Sequence, residues 1–150
     1  MNTYEAVASR RSIRAYLDKP VEADVIRRVL TAASRSATGG NLQPWHIDIV
    51  AGEPLAKLKD IMRTRVVEAP AGDPVKDYNI YPPELVAPYR DYRFQVGEDM
   101  YALLGIPRED KAARLQWFAR NYQFFGAPLA LFCTVDRRMG LPQWSDLGMF

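Results

Sequence analysis

The sequence predicts one domain that mixes helices with a small number of strands. Several stretches repeat apolar residues at the three-to-four spacing of an amphipathic helix, and two short stretches have the β-branched or continuously apolar content of strands. The chain has 150 residues, the size of one domain, and 48% of them are hydrophobic, which is enough for a core. We therefore expect residues 1–150 to form a single domain.

The first predicted helix leads directly into a cluster of arginines. Asn2 and Glu5 have the spacing of a capping box, and an apolar stripe follows them. Three guanidinium groups and a hydroxyl then fall within five residues: Arg10, Arg11, Ser12 and Arg14. Arginine matches phosphate oxygens with charge-assisted, paired hydrogen bonds. We call this stretch the arginine segment, and it is the candidate anion site. The net charge is only +2, so any basic function must be local.

A glycine-containing loop follows the second predicted helix. That helix is indicated around residues 25–33 by its apolar spacing, and a small polar run leads from it to Gly39-Gly40-Asn41. Glycine adopts backbone angles that other residues avoid, so this loop can turn its amide groups toward a ligand. The first strand is predicted immediately afterwards, at residues 46–50, where β-branched and polar residues alternate.

The middle of the chain is predicted to be helical except for one excursion. Helices are indicated after Pro54, from Tyr89 to Gly105 and from Pro107 onward. Five of the 11 prolines fall between residues 70 and 88. Because proline interrupts regular structure, we expect residues 70–88 to form an irregular surface excursion that could act as a lid.

The last third of the sequence contains the second strand and an unfinished helix. Leu129–Val135 is a continuous apolar run, typical of a strand buried on both faces, and we expect its Cys133 to be a buried thiol. Another helix begins near Trp144 and stops at Phe150. Two strands do not make an independently stable sheet, so we expect either that this chain is a fragment or that a partner chain completes it.

Several functional classes are disfavoured by the residue content. One histidine and one cysteine are too few ligands for a metal site, and His46, beside Trp45, is expected to be structural. No basic stripe interleaves the aromatic residues near Trp117, which argues against nucleic-acid binding. Since no secretory signal and no apolar run of about 18 residues is present, we expect a cytoplasmic protein without a membrane partner.

Five motifs occur in a fixed order along the chain. Three lie in the first third: Arg10-Arg11-Ser12-Ile13-Arg14-Ala15-Tyr16, Val29-Leu30-Thr31-Ala32-Ala33 and Gly39-Gly40-Asn41-Leu42-Gln43-Pro44-Trp45. Two lie near the end: Phe125-Gly126-Ala127-Pro128 and Gln143-Trp144-Ser145-Asp146-Leu147-Gly148. In this order they resemble the nitroreductase family of FMN-dependent oxidoreductases, the first three its start and the last two its middle section. The matches run from residue 9 to the last residue.

The resemblance implies an α+β homodimer with a central, mostly antiparallel sheet flanked by helices. Each FMN would lie in a groove that both subunits build. Carried over by position, four residues would hold the FMN phosphate and ribityl chain: Arg10, Arg11, Ser12 and Arg14. Thr38, Gly39 and Asn41 would approach the same flavin from the other subunit. The family usually has proline-serine-glycine where this chain has Ala37-Thr38-Gly39, so a hydroxyl is retained. The family's C-terminal part, with further sheet and an arm around the partner, has no counterpart in these residues.

The activity that the resemblance implies is that of an NAD(P)H nitroreductase or quinone reductase. Hydride from NADH or NADPH would pass through flavin N5 to a small aromatic acceptor, a nitroaromatic or a quinone. The two substrates would use one pocket in turn, which gives ping-pong kinetics. Because the flavin carries the chemistry, we name no catalytic acid, base or nucleophile. The excursion and the side chains of Tyr89, Tyr92 and Phe94 are the candidates for selecting the acceptor.

Other interpretations stay open at this point. A truncated, non-catalytic or flavin-sequestering family member would explain the abrupt end at Phe150. A reductive dehalogenase or a flavin-fragmenting relative is a further alternative within the flavin class. Flavin absorbance, NAD(P)H oxidation and assays with halogenated phenols would separate these possibilities.

Overall fold

The computed structural model describes residues 2–69, 72 and 78–150. In these ranges the chain forms six α-helices: α1 Thr3–Ser9, α2 Ala23–Ala33, α3 Gly52–Glu68, α4 Tyr89–Leu103, α5 Lys111–Ala119 and α6 Leu141–Met149. The two strands of the same ranges are β1 Trp45–Ala51 and β2 Leu129–Val135. Short 3-10 turns occupy Gly39–Asn41 and Arg120–Gly126. The described residues divide into two compact units, the first containing residues up to Lys59 together with Phe124–Phe150, and the second containing those between.

The first unit is built on an antiparallel pair of strands. Trp45 lies opposite Val135 and Ala51 lies opposite Leu129, so the two strands are paired over their whole length. Both strands were predicted within one residue of their ends, because β-branched and apolar residues suit a pleated, half-buried surface. The mixture of helices with an antiparallel sheet is confirmed.

The core of the first unit lies where α3 and β2 carry their most buried apolar side chains. Leu55 is 2% exposed and Ala130 is 7% exposed. The Phe124 ring packs edge-on against Phe132, with 5.9 Å between the ring centroids. Lys59 Nζ donates a 2.9 Å hydrogen bond to the carbonyl of Ala127, which links α3 to the turn before β2.

The prediction that β2 is buried on both faces, and Cys133 with it, is wrong for this chain. Cys133 is exposed, and the neighbouring Leu131 and Ile49 are 44% and 46% exposed. Side chains alternate across a strand, so these three share one face of the pair. That face is only partly covered, and a hollow of about 540 Å³ lies between Ile49 and α2. Composition identified the strand, but burial depends on what packs against it.

Helix ends follow the capping residues more closely than the prolines. At α1 the predicted capping box is confirmed, since Asn2 and Glu5 exchange side-chain and backbone hydrogen bonds of 2.8 and 2.9 Å. The helix predicted to open at Pro107 instead begins at Lys111. Asp110 is its N-cap, because the carboxylate accepts from the Ala113 amide at 2.8 Å.

The second unit is stabilised by an ion pair between α4 and α5. Arg114 donates to both carboxylate oxygens of Glu98, at 2.8 and 3.3 Å, and its Nε donates to the carbonyl of Pro107 at 3.2 Å. The guanidinium carbon also lies 4.2 Å from the centroid of the Tyr101 ring. One side chain thereby joins two helices and the turn between them.

The proline-rich excursion is only partly visible. Residues 78–88 contain no helix or strand. Positions 70, 71 and 73–77 lie outside the described residues, and a lid role for the excursion stays a prediction. Among the helices that the structure describes, none combines the length and the hydropathy that crossing a membrane requires.

Candidate functional site

The arginine segment leaves the end of α1 as an extended, exposed chain whose side chains bond locally. Arg10 Nη1 donates to Ser12 Oγ at 3.1 Å, and Arg11 Nη1 donates to the carbonyls of Ala8 and Arg10, each at 3.0 Å. Arg14 Nη1 reaches the Ser12 carbonyl at 3.3 Å. Within the described residues, neither Arg10 nor Arg11 pairs with a carboxylate. Their charges are therefore available to an anion from outside the chain.

A turn before β2 fixes the end of the arginine segment. The Tyr16 amide donates to the carbonyl of Phe125 at 3.2 Å. Phe124 and Phe125 both have φ of 51°, in the left-handed region, and Gly126 follows with φ of 82°. Non-glycine residues held in such conformations cost of order 1–3 kcal/mol each, so the surrounding contacts must maintain the turn. The Tyr16 hydrogen bond is one of those contacts, and it ties the chain just after the arginine segment to the turn before β2.

The glycine loop, Thr38–Gln43, closes on itself through hydrogen bonds. Thr38 Oγ1 accepts from the Gln43 amide at 3.2 Å, and the Thr38 carbonyl accepts from the Asn41 amide at 3.1 Å. Gly40, Asn41 and Gln43 all have positive φ, of 59°, 55° and 48°. The amides of Gly39, Asn41, Leu42 and Gln43 donate hydrogen bonds within the described residues, whereas those of Thr38 and Gly40 do not. The loop is thus a compact, strained turn in which the Thr38 and Gly40 N–H groups can donate to an outside partner.

A carboxylate from α6 holds Gly39, the second residue of the glycine loop. Asp146 is 9% exposed, and its two oxygens lie 3.2 and 3.3 Å from the Gly39 nitrogen, whose N–H they accept. Two further contacts connect the same regions: Ser36 Oγ donates to the Met149 carbonyl at 2.8 Å, and the Trp45 and Phe150 ring centroids are 5.0 Å apart. Asp146 belongs to the motif Gln143-Trp144-Ser145-Asp146-Leu147-Gly148, but the sequence did not predict a role for it. The available signal was that Asp146 is the one charged residue in α6.

The predicted cofactor residues therefore form two anchored pieces of the first unit. Arg10, Arg11, Ser12 and Arg14 belong to a segment tied to the turn before β2. Thr38, Gly39 and Asn41 belong to a loop tied to α6. Their assignment to a flavin stays a prediction.

The predicted acceptor residues lie in the second unit, on α4. Tyr89 and Tyr92 are 65% and 67% exposed. A helix turns about 100° per residue, so these two share a face while Phe94 lies on nearly the opposite side. The guanidinium carbon of Arg108 is 5.1 Å from the Phe94 ring centroid. Their role in selecting an acceptor stays a prediction.

The part of the chain that the structure describes contains no cluster of side chains suited to binding a metal ion. No group of three or more histidine, cysteine, aspartate or glutamate side chains is close enough to hold an ion there. His46 is exposed at the start of β1 and lies opposite Thr134 of β2.

Comparison with known proteins identifies the group to which this chain is related. The sequence profile described as the nitroreductase family matches residues 7–147. A 4-nitrobenzoate reductase from Pseudomonas putida is 33% identical over 144 residues, which cover 96% of this chain and 62% of that protein. A nitrobenzene nitroreductase from Ectopseudomonas oleovorans is 31% identical over 150 residues, which cover 97% of this chain and 64% of that protein.

A solved structure extends the similarity to three dimensions. The FMN and NADPH-dependent nitroreductase NfnB from Sphigopyxis sp. strain HMH superposes with a TM-score of 0.94 at 45% sequence identity. The superposition covers 99% of this chain and 66% of that one, so this chain spans less than two thirds of the length of these relatives. The family resemblance and the α+β fold that it implied are confirmed. The chain belongs to the nitroreductase family.

Proposed function

We propose that this chain provides the flavin-binding elements of an FMN-dependent oxidoreductase that uses NAD(P)H to reduce a nitroaromatic compound. The observation that carries the proposal is the arginine segment, whose Arg10 and Arg11 lack carboxylate partners within the described residues, in a chain 45% identical to an FMN and NADPH-dependent nitroreductase. Relatives that are named as nitrobenzoate and nitrobenzene reductases support a nitroaromatic acceptor.

The residues present fit the phosphate of FMN. A phosphate monoester offers three oxygens and up to two negative charges, which suit several guanidinium groups in close sequence. Arg10 uses one described hydrogen bond, to Ser12 Oγ, out of five N–H donors. Arg11 is exposed and bonds to backbone carbonyls through Nη1 alone, so Nη2 and Nε make no hydrogen bond within the described residues. The donors are thus oriented by the chain itself before any ligand arrives.

The protein's part in the reaction is binding and placement. A bound flavin would supply the hydride-transfer chemistry between the reduced nicotinamide and the acceptor. In our proposal Arg10, Arg11 and Arg14 compensate the phosphate charge, and the Ser12 hydroxyl supplies a further donor. The glycine loop offers the Gly40 amide and the Asn41 side chain from its rigid, self-bonded turn. We further propose a homodimer in which the arginine segment and the glycine loop of different subunits enclose each flavin.

Several finer features belong to the same proposal. The nicotinamide cofactor and the acceptor bind in turn at one pocket, which gives ping-pong kinetics, and quinones serve as acceptors beside nitroaromatics. Tyr89 and Tyr92 are the proposed contacts for the acceptor, because two exposed aromatic rings on one helical face can stack on an aromatic compound.

The proposal is tested by the flavin content and turnover of the purified chain. We expect flavin absorbance to persist through gel filtration at a mass above that of one chain. We also expect NADPH oxidation that depends on an added nitrobenzoate, with parallel lines in double-reciprocal plots at several acceptor concentrations. A colourless protein that shows no fluorescence quenching of added FMN would contradict the flavin assignment. A yellow protein without turnover would support the proposed flavin binding and contradict the proposed activity.

A further inference from the structure

We infer that Asp146 is a positioning residue of the flavin site, because its carboxylate holds the Gly39 amide and so fixes the conformation of the glycine loop. The inference rests on the proposed function, since it assigns the loop a conformation competent for flavin. It adds a residue that belongs neither to the arginine segment nor to the loop.

The first observation is the unusual environment of this carboxylate. Asp146 is 9% exposed in a helix that otherwise carries no charged side chain. Among the described residues, its hydrogen-bond donor is the Gly39 amide alone, shared between both oxygens. Removing a carboxylate from water is costly unless the protein compensates it. An aspartate at this position is therefore poorly explained by packing alone.

The second observation is that the loop needs a restraint from outside itself. Gly40, Asn41 and Gln43 are all held at positive φ, and two of them are not glycine. The loop's internal hydrogen bonds join Thr38 to Asn41 and Gln43. They close the turn, but they do not fix its direction relative to the helices. The hydrogen bond from the Gly39 amide to Asp146 fixes that direction near the start of the loop.

The third observation separates this bond from the general docking of α6. Ser36 Oγ already joins the preceding stretch to the Met149 carbonyl at 2.8 Å, and the Trp45 ring lies against Phe150. These neutral contacts hold α6 on either side of the loop. Asp146 adds a carboxylate that accepts a hydrogen bond from one loop amide. Such a charge-assisted hydrogen bond is stronger than one between neutral groups.

The consequence for binding is a matter of populations. If only a fraction of molecules has the loop in the binding conformation, the apparent dissociation constant rises by the inverse of that fraction. Loss of a hydrogen bond to a charged group corresponds to about a 10- to 100-fold change in such a balance. Substitution of Asp146 should therefore lower the affinity for FMN, although in our proposal its side chain contacts the Gly39 amide and not the flavin.

The experiment compares Asp146→Ala with Asp146→Asn, and uses Leu55→Val as a matched control. Leu55 is a core residue of the same unit, 2% exposed, so Leu55→Val lowers stability without touching the loop. The FMN dissociation constant is measured by fluorescence quenching, and thermal unfolding is recorded for each variant. In flavin-free protein, hydrogen exchange of the Gly39 amide is followed by NMR.

We expect Asp146→Ala to bind FMN about 10- to 100-fold more weakly and to exchange the Gly39 amide faster. Asp146→Asn keeps one acceptor oxygen and should recover part of both losses; it also serves if the alanine variant does not fold. Leu55→Val should lose thermal stability while its FMN affinity stays within about twofold of the parent protein, since the loop restraint is intact.

Each other outcome decides against the inference. Unchanged FMN affinity in Asp146→Ala would overturn it. So would losses of affinity in Asp146→Ala and Leu55→Val that simply follow their losses of stability. If the parent protein itself fails to bind FMN, the result contradicts both the proposed function and the flavin role of Asp146. Gly39 exchange would then still show whether the carboxylate restrains the loop.

Discussion

Removing the charges of the arginine segment should weaken FMN binding selectively through its phosphate. The change is Arg10→Ala with Arg11→Ala, singly and together. These two guanidinium groups bond only to Ser12 and to nearby carbonyls, and neither has a carboxylate partner among the described residues. Their substitution therefore leaves no uncompensated acidic group behind, and the fold should be retained.

The size of the effect follows from the exposure of the segment. A hydrogen bond to a charged group contributes about 1.5–3 kcal/mol, and both arginines are exposed, so the lower end applies. With about 1.4 kcal/mol per factor of ten, each substitution should raise the FMN dissociation constant about tenfold and the pair about a hundredfold.

The assay compares FMN with riboflavin, which has the same ring system and no phosphate. Fluorescence quenching is measured for both ligands at low and at high salt. We expect the affinity advantage of FMN to shrink in each variant while riboflavin binding stays unchanged, and the salt dependence for FMN to decrease. Arg27→Ala is the matched control, because Arg27 is an exposed arginine of α2 paired with Asp24 at 3.3 Å. Equal losses for FMN and riboflavin, or undiminished FMN affinity, would refute the reasoning.

Three further predictions concern stability. Leu55→Ala should lower the free energy of unfolding, measured by urea denaturation, by about 2–5 kcal/mol. The reason is that the substitution opens a cavity at a side chain that is only 2% exposed. A loss below about 1 kcal/mol would mean that the core is not centred there. Gly126→Ala should cost about 1–2 kcal/mol, because the residue has φ of 82°, and an unchanged melting temperature would contradict that conformation. The Arg114 hydrogen bond holds the pKa of Glu98 below its ordinary value, so the ion pair stabilises the folded state above the unfolded pKa and loses that contribution as pH falls through the folded pKa. Glu98→Gln should therefore be less stable than the parent protein near pH 7, and the gap in urea midpoint should close toward pH 3; a gap independent of pH would argue against the pair.

The elements themselves were largely predictable because their signals are local. Leu129–Val135 was predicted at its observed bounds, since a continuous apolar run between a proline and a charged stretch leaves few alternatives. The start of α5 was misplaced for an equally local reason. Pro107 is a favourable first-turn residue, but the side chain of Asp110 accepts from the Ala113 amide, so the helix begins at Lys111, four residues after Pro107.

Long-range relations could not be predicted in the same way. Whether Cys133 is buried or exposed depends on what covers one face of the strand pair, and the residues of the strand alone do not determine that. The bond between Gly39 and Asp146 joins positions 107 residues apart. A single charged residue in an otherwise uncharged helix indicates that some partner exists, but only the folded chain shows which amide it contacts.

That separation of 107 residues also has a consequence for the time at which the site matures. A ribosome adds about 5–20 residues per second, so Gly39 is incorporated about 5–20 s before Asp146. During that interval the nascent loop lacks the carboxylate that directs it. In our proposal, competence for the cofactor therefore waits for the synthesis of Asp146, and a nascent chain that stops before α6 would carry the arginine segment without a finished glycine loop.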